Sequence, residues 1–277
     1  MLLHISILVS AALASVAPPA PASARSVAHS PVVTVHAKDF SYAGPKTIKS
    51  GATTFRLVND GKELHHLTLL KLAKGKTMAD FAEAMKKHGP PPAWATDVGG
   101  PNPAVPGGAA EATLTLDAGE YVMICFIPSP GETMPHAMKG MMGSLTVLRE
   151  RSAERAAKGD VTIRLSDYKF GMAKPLTAGK HLINVVNDAQ QSHEVVIIML
   201  KPGKTMADMG EWIDKQLMKG EPPGMPLGGI AALAKGRSGS FPVDLKPGKY
   251  GLICFVPDAK DGKPHSQHGM VMELAVQ

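Results

Sequence analysis

The chain has 277 residues, 44% of them hydrophobic and 19% charged, which excludes a disordered polypeptide and gives enough apolar material for two domain cores. Its formal net charge of +6 is spread along the sequence and aromatics make up only 5%, a pattern that argues against a nucleic-acid binder and reads as solubility or soft steering toward acidic partners. Two cysteines are too few for an iron–sulfur cluster or a cysteine-rich zinc site, and their surroundings exclude c-type haem attachment.

Residues 1–24 contain no Lys, Arg, Asp or Glu, and "LLHISILVSAALASVA" forms a compact apolar stretch. Ala22-Ser23-Ala24 follows as a small-residue cleavage signal. This predicts a signal peptide over 1–24 and an exported mature protein, periplasmic or extracellular. Neither cysteine lies near the cleavage point, so lipidation there is excluded. No later stretch is long and apolar enough for a membrane helix, so no span is expected after cleavage.

From residue 31 onward the chain is written twice. "GATTFRLVND" at 51–60 matches "GKHLINVVND" at 179–188, "GKTMAD" at 75–80 recurs at 203–208, and "LDAGEYVMICFIP" at 116–128 matches "LKPGKYGLICFVP" at 245–257. The period is too long for a solenoid, so the pattern predicts a duplicated domain, 31–149 and 160–277, joined by a charged linker over 150–159. Within each copy "PVVTVHAKDF" and "DVTIRLSDYKF" alternate apolar and polar residues as half-buried strands do. "TTFRLVND", "HLTLLKL" and "EATLTLDAG" continue the first copy; "HLINVVND", "HEVVIIML" and "GSFPVDLKPG" continue the second. Asn-Asp, Asp-Ala-Gly and Lys-Pro-Gly mark turns between them. Strands at this spacing, without alternating helices, predict an all-β protein built as an antiparallel sandwich or barrel. One helix interrupts each copy. Thr77 and Thr205 are N-caps with Asp80 and Asp208 three residues on, and the helices are expected to end at Gly89 and Gly220. The Pro- and Gly-rich stretch 89–108 reads as a loop that packs through Trp94.

"NDGKELHHLTLL" aligns with "NDAQQSHEVVII", which sets His65 on His193. Downstream, Cys125, His136 and Met141 fall in register with Cys254, His265 and Met270. Two imidazoles, a thiolate and a thioether make a soft, compact donor set of the kind that holds redox-active copper. Cysteine, histidine and methionine on one strand–turn–strand loop can converge on a single ion, with the upstream histidine arriving from a neighbouring strand. Strand alternation turns His66, next to His65, to the other face. A disulfide is the simple alternative for two cysteines in an exported protein, but equivalent places in two separate domains oppose it. A Cys–His protease is opposed by the apolar strands around both cysteines.

The pattern resembles the cupredoxins, the plastocyanin and azurin group, over nearly all of the mature chain. The resemblance implies two tandem Greek-key β-sandwich domains, each with an inserted helix and a mononuclear copper site of the type 1 kind. By that likeness His65, Cys125 and His136, and His193, Cys254 and His265, are equatorial ligands, with Met141 and Met270 axial. The histidine pairs that build a trinuclear copper cluster are missing, and Ile124 and Ile253 stand where a histidine would precede each cysteine in resembling nitrite reductases. The expected function is therefore non-enzymatic: one-electron transfer with a redox partner protein, copper as cofactor, one per domain. The alternatives are copper sequestration or delivery with a donor or acceptor protein, suggested by the sulfur of Met134, Met142 and Met272, and a metal-free binding scaffold.

Overall fold

The structure, a computed structural model, describes residues 30–87 and 89–277; the expected signal peptide lies outside the described residues. In the first half the strands are β1 (Val32–Lys38), β2 (Ser41–Ala43), β3 (Thr47–Asn59), β4 (Thr68–Leu72), β5 (Ala95–Gly99), β6 (Ala109–Leu116), β7 (Gly119–Ile124) and β8 (Met142–Arg151), with helix α1 (Met78–Met85) after β4. The second half repeats the order with β9 (Val161–Ser166), β10 (Lys169–Met172), β11 (Gly179–Asn187), β12 (His193–Leu200), α2 (Met206–Asp214), β13 (Gly224–Leu233), β14 (Ser238–Leu245), β15 (Gly248–Ile253) and β16 (Val271–Val276). Among the described residues no helix is long and apolar enough to cross a membrane.

Each half is an all-β, cupredoxin-like sandwich. In the first, one layer runs β2-β1-β3-β6 and the other β5-β4-β7-β8; in the second, β10-β9-β11-β14 faces β13-β12-β15-β16. Alternation in β6, where every second residue is buried, sends Ala110, Ala112, Leu114 and Leu116 inward. They meet Phe55, Leu57, Leu69 and Tyr121; in the second half Phe241, Ile183, Ile197 and Tyr250 play the same part. The ladders are not wholly antiparallel as expected. β1 runs parallel to β3, β9 to β11, and the start of β3 to β8. Side-chain alternation reports which face of a strand is buried and carries no information on the direction of its neighbour.

Both capping boxes form: Thr77 Oγ1 accepts from the Asp80 amide at 3.1 Å while Asp80 accepts from the Thr77 amide at 2.8 Å, and Thr205 and Asp208 repeat the exchange. The helices end earlier than expected, at Met85 and Asp214. Leu217 and Met218 adopt positive φ, 50° and 59°, which no α-helix admits, so the second helix stops before Gly220. Phe81 and Met85 seat α1 on Leu70, Val122 and Ile124, and Trp94 meets the Phe81 ring edge-on at 6.2 Å.

One stretch read as a loop carries a strand, since β5 lies inside 89–108, and β13 forms in a Gly- and Pro-containing run for which the sequence pattern predicts no element. Both contain a Gly-Gly pair. A Cβ on Gly100 would sit 1.8 Å from the Leu67 carbonyl oxygen, and one on Gly229 would sit 2.0 Å from that of Val195. Only glycine lets the segment that follows the upstream histidine pass so close. The same stretches join the halves: Val98 pairs with Leu233, Pro101 bridges Ile230, and β6 pairs with β14 through Leu114 and Thr113. The 150–159 segment has no helix; β8 takes its first residues.

Candidate metal centre

Three elements build each site. The loop after β3 brings His65 against Ala104, to which its backbone bonds in both directions. Asn59, fully buried, braces that loop: its amide donates to the Glu63 and Ala104 carbonyls at 2.8 and 2.9 Å, and its oxygen accepts from the Gly61 amide. Asn187 does the same with Gln191, Leu233 and Ala189. Cys125 and Cys254 directly follow the last residues of β7 and β15. A single 3-10 turn, His136–Lys139 or His265–His268, then places the second histidine and closes at a left-handed glycine, Gly140 or Gly269. The His136 carbonyl accepts from the Met141 amide, and the Met141 carbonyl accepts from the Cys125 amide; His265, Met270 and Cys254 repeat this. Each methionine backbone is thus stitched to both downstream residues.

The expected triads assemble. The ligand atoms of His65, Cys125 and His136 lie within 4.8 Å of one another, as do those of His193, Cys254 and His265. Cys125 Sγ is 3.5 Å from His136 Nδ1, and His136 Nδ1 is 3.1 Å from His65 Nδ1. In the second site Cys254 Sγ is 3.9 Å from His193 Nδ1 and 3.5 Å from His265 Nδ1. Ligands bound at about 2.0–2.3 Å in a trigonal plane would stand about 3.5–3.8 Å apart; the sides of 3.1–3.9 Å lie near that spacing, so each triangle could hold one ion after small shifts. Both cysteines are free, so the disulfide alternative does not hold. Met141 and Met270 are fully buried, as are all six triad residues.

Every Nδ1 faces inward because every Nε2 is spoken for. His65 Nε2–H donates to Asp39 at 3.0 Å, His136 Nε2–H to Glu63 at 2.8 Å, and His193 Nε2–H to Asp167 at 3.1 Å. His265 Nε2 faces Gln191 Oε1 at 3.4 Å and Asp258 at 3.8 Å. Such partners fix the tautomer and leave the inner lone pair for a metal. In the first site two of those lone pairs then confront each other at 3.1 Å, a repulsion that a shared cation removes.

Burial sets the acid–base state. It pushes the Cys125 thiol up to about 11 and, with the nearby Glu194 carboxyl, takes Cys254 far above the usual thiol range. It holds His136 and His193 below the usual imidazole range, against the raising effect of Glu63 and Asp167, and takes His265 down to about 4. Neutral imidazoles are what a metal requires, whereas each thiol must give up its proton on binding.

Sequence reasoning passed over the residues behind the ligands. Phe40 and Tyr168, both aromatic and both at positive φ (68° and 62°), set their rings edge-on to His136 and His265 at 5.1 and 5.4 Å. Strained aromatic residues at equivalent places belong with a functional site. The repeated Asp-aromatic pair, Asp39-Phe40 and Asp167-Tyr168, was the signal for both. His66 turns away from the three ligand atoms, yet it is buried and its Nε2 accepts the Phe126 amide at 2.8 Å. Glu194 does the same for the Phe255 amide at 3.0 Å.

No protein-family profile and no curated protein matches the chain. Among solved structures it is similar to a dithionite-reduced auracyanin from Roseiflexus castenholzii, at 26% identity and TM-score 0.28, over 43% of this chain and 98% of that one. It is also similar to auracyanin A, a "blue" copper protein from Chloroflexus aurantiacus, at 22% identity and TM-score 0.30, over 42% and 98%. A copper-containing nitrite reductase from Thermus scotoductus SA-01 spans both halves, 89% of this chain and 61% of that one, at 15% identity and TM-score 0.24. Superposition at these scores is loose, and the case for a metal stands on the two triangles of donors.

Proposed function

We propose that this cupredoxin-like protein is an exported copper protein with one mononuclear centre in each half, and that it carries single electrons. The observation behind this reading is the convergence of Nδ1, Nδ1 and Sγ at equivalent places in both halves, with every outer imidazole nitrogen already engaged. His65, Cys125 and His136 would hold the first ion and His193, Cys254 and His265 the second, with Met141 and Met270 as axial neighbours. Copper bound there supplies one-electron chemistry by alternating between Cu(I) and Cu(II).

The chain's own residues favour a carrier over an enzyme. All eight candidate side chains are fully buried, so a substrate has no open position at the ion, whereas catalytic metal sites keep one. His136 is shielded, but its Nε2 is one hydrogen bond from Glu63, a quarter of whose side chain is exposed, which gives a redox partner protein a short path. One observation keeps copper delivery in play: Met134, in the same loop as His136, leaves 48% of its surface exposed and offers a soft thioether to a donor or acceptor protein. We assign 31–149 and 160–277 as the two units, each with its own complete donor set.

Adding Cu(II) to the purified, metal-free protein tests the reading. An intense visible thiolate–copper band, saturating at two ions per chain, is expected. Binding without that band would leave sequestration or delivery, and no uptake would leave a metal-free scaffold.

A further inference from the structure

The two candidate centres are tied together by one buried string of side chains. Phe126, the residue after Cys125, donates its amide to His66 Nε2 at 2.8 Å. That nitrogen therefore carries no proton, so the hydrogen sits on Nδ1, which donates to Asn102 Oδ1 at 3.1 Å. With its oxygen so engaged, the Asn102 amide nitrogen donates across the boundary between the halves to Glu194 Oε2 at 2.7 Å. Glu194 Oε1 accepts the amide of Phe255, the residue after Cys254, at 3.0 Å. Glu194 also donates its own amide to Cys254 Sγ at 3.4 Å.

Each link requires the next. No donor faces a donor along the string, and the three side chains are 6%, 2% and 6% exposed. The joint is asymmetric: Asn102 belongs to the first half, and its counterpart in the second, Ala231, has no polar side chain to return the contact. Two halves that needed only to stick together would be served by β6 on β14 and the apolar residues there. A directed polar string from one cysteine loop to the other is a more specific device. In a dry interior such bonds polarise one another, and each loop is held by a side chain whose far end is held by the other half.

We infer that His66, Asn102 and Glu194 are positioning residues that couple the two centres, so that a change at either cysteine loop alters metal binding at the other. The inference rests on both triads holding metal. Loading a site replaces a buried thiol by a thiolate and fixes the loop; the neighbouring Phe amide then reorients against His66 or Glu194, and Asn102 passes that on. A coupling of this kind typically changes affinity by about 5–150-fold.

The test uses the full chain with Cys254→Ser, so that only the first site reports, titrated with Cu(II) alone and read by its thiolate–metal band. Glu194→Gln touches the first site only through Asn102: its one amide oxygen can serve the Phe255 amide or Asn102 but not both, and kept on Phe255 it sets an amide against an amide at Asn102. It should weaken Cu(II) at the first site by about fivefold or more. Adding Asn102→Asp reverses that one bond, since the carboxylate it introduces accepts both from His66 and from the new amide facing it, and should restore the parent affinity. Equal affinity in all three proteins overturns the coupling, as does a double variant no better than Glu194→Gln alone. If the Cys254→Ser parent takes up no Cu(II), the copper reading has failed. The string is then judged in metal-free protein by the amide NMR signal of Phe126: a shift on Glu194→Gln that Asn102→Asp reverses supports it, and an unmoved signal sinks it.

Discussion

The two halves bring the same three donor side chains together, yet they differ in what stands behind the downstream histidine. In the first, His136 donates to the Glu63 carboxylate at 2.8 Å. In the second, the matching position is Gln191, whose amide oxygen stands 3.4 Å from His265, and the nearest carboxylate, Asp258, is 3.8 Å away. That carboxylate is already committed: Tyr168 donates to it at 2.5 Å and Gln191 at 2.9 Å, which holds it well below the usual carboxylate range. A full carboxylate against Nε2–H makes the imidazole a stronger donor to a metal; an amide does so less. Metal bound at the two donor triangles would thus be tuned in two ways, through residues outside the triangles.

The harshest way to break the comparison is to remove one thiolate. Cys125→Ser should abolish the thiolate–copper band of the first site and leave the band of the second; Cys254→Ser should do the reverse. Loss of both bands from either change would mean one shared centre.

Acidity should affect the two sites unequally. Both thiols are protonated at neutral pH, because burial has raised them, so each site releases a proton as it binds metal. Below about pH 11, affinity at the first site should therefore fall about tenfold per unit drop in pH. The second site should steepen further where its imidazoles compete for a proton, His265 doing so below about pH 4. Titrations with Cu(II) at stepped pH, with released protons counted in weak buffer, would show this; pH-independent affinity would mean the cysteines do not ligate.

Exchanging the residues behind the histidines sharpens the contrast. Glu63→Gln should lower metal affinity at the first site by about tenfold, while Gln191→Glu should raise it at the second. If neither moves, the difference between the halves lies elsewhere. The smallest effect is expected at the methionines. Met141→Leu or Met270→Leu should keep the band and bind copper with a changed potential, measurable by spectroelectrochemistry, because the axial contact is weak. A variant that no longer binds would promote methionine to a principal ligand.

The repeat, the capped helices and the side chains that form the two donor triangles were legible in the sequence because each is a local or repeated pattern. Thr77 and Asp80 sit three residues apart whatever the fold, and His65, Cys125 and His136 stand out because His193, Cys254 and His265 repeat them in register. Strand direction, the early stops of both helices and strands β5 and β13 were not legible, since they depend on partners far along the chain or on glycine-permitted approaches that erase the usual alternation. The roles of His66, Asn102 and Glu194 were hidden for a related reason. Each is an ordinary polar residue in its local setting, and burial alone makes its hydrogen bonds obligatory. Sequence set which atoms could bind a metal; the packing of one half on the other decided that a His from the first and a Glu from the second would meet across a single asparagine.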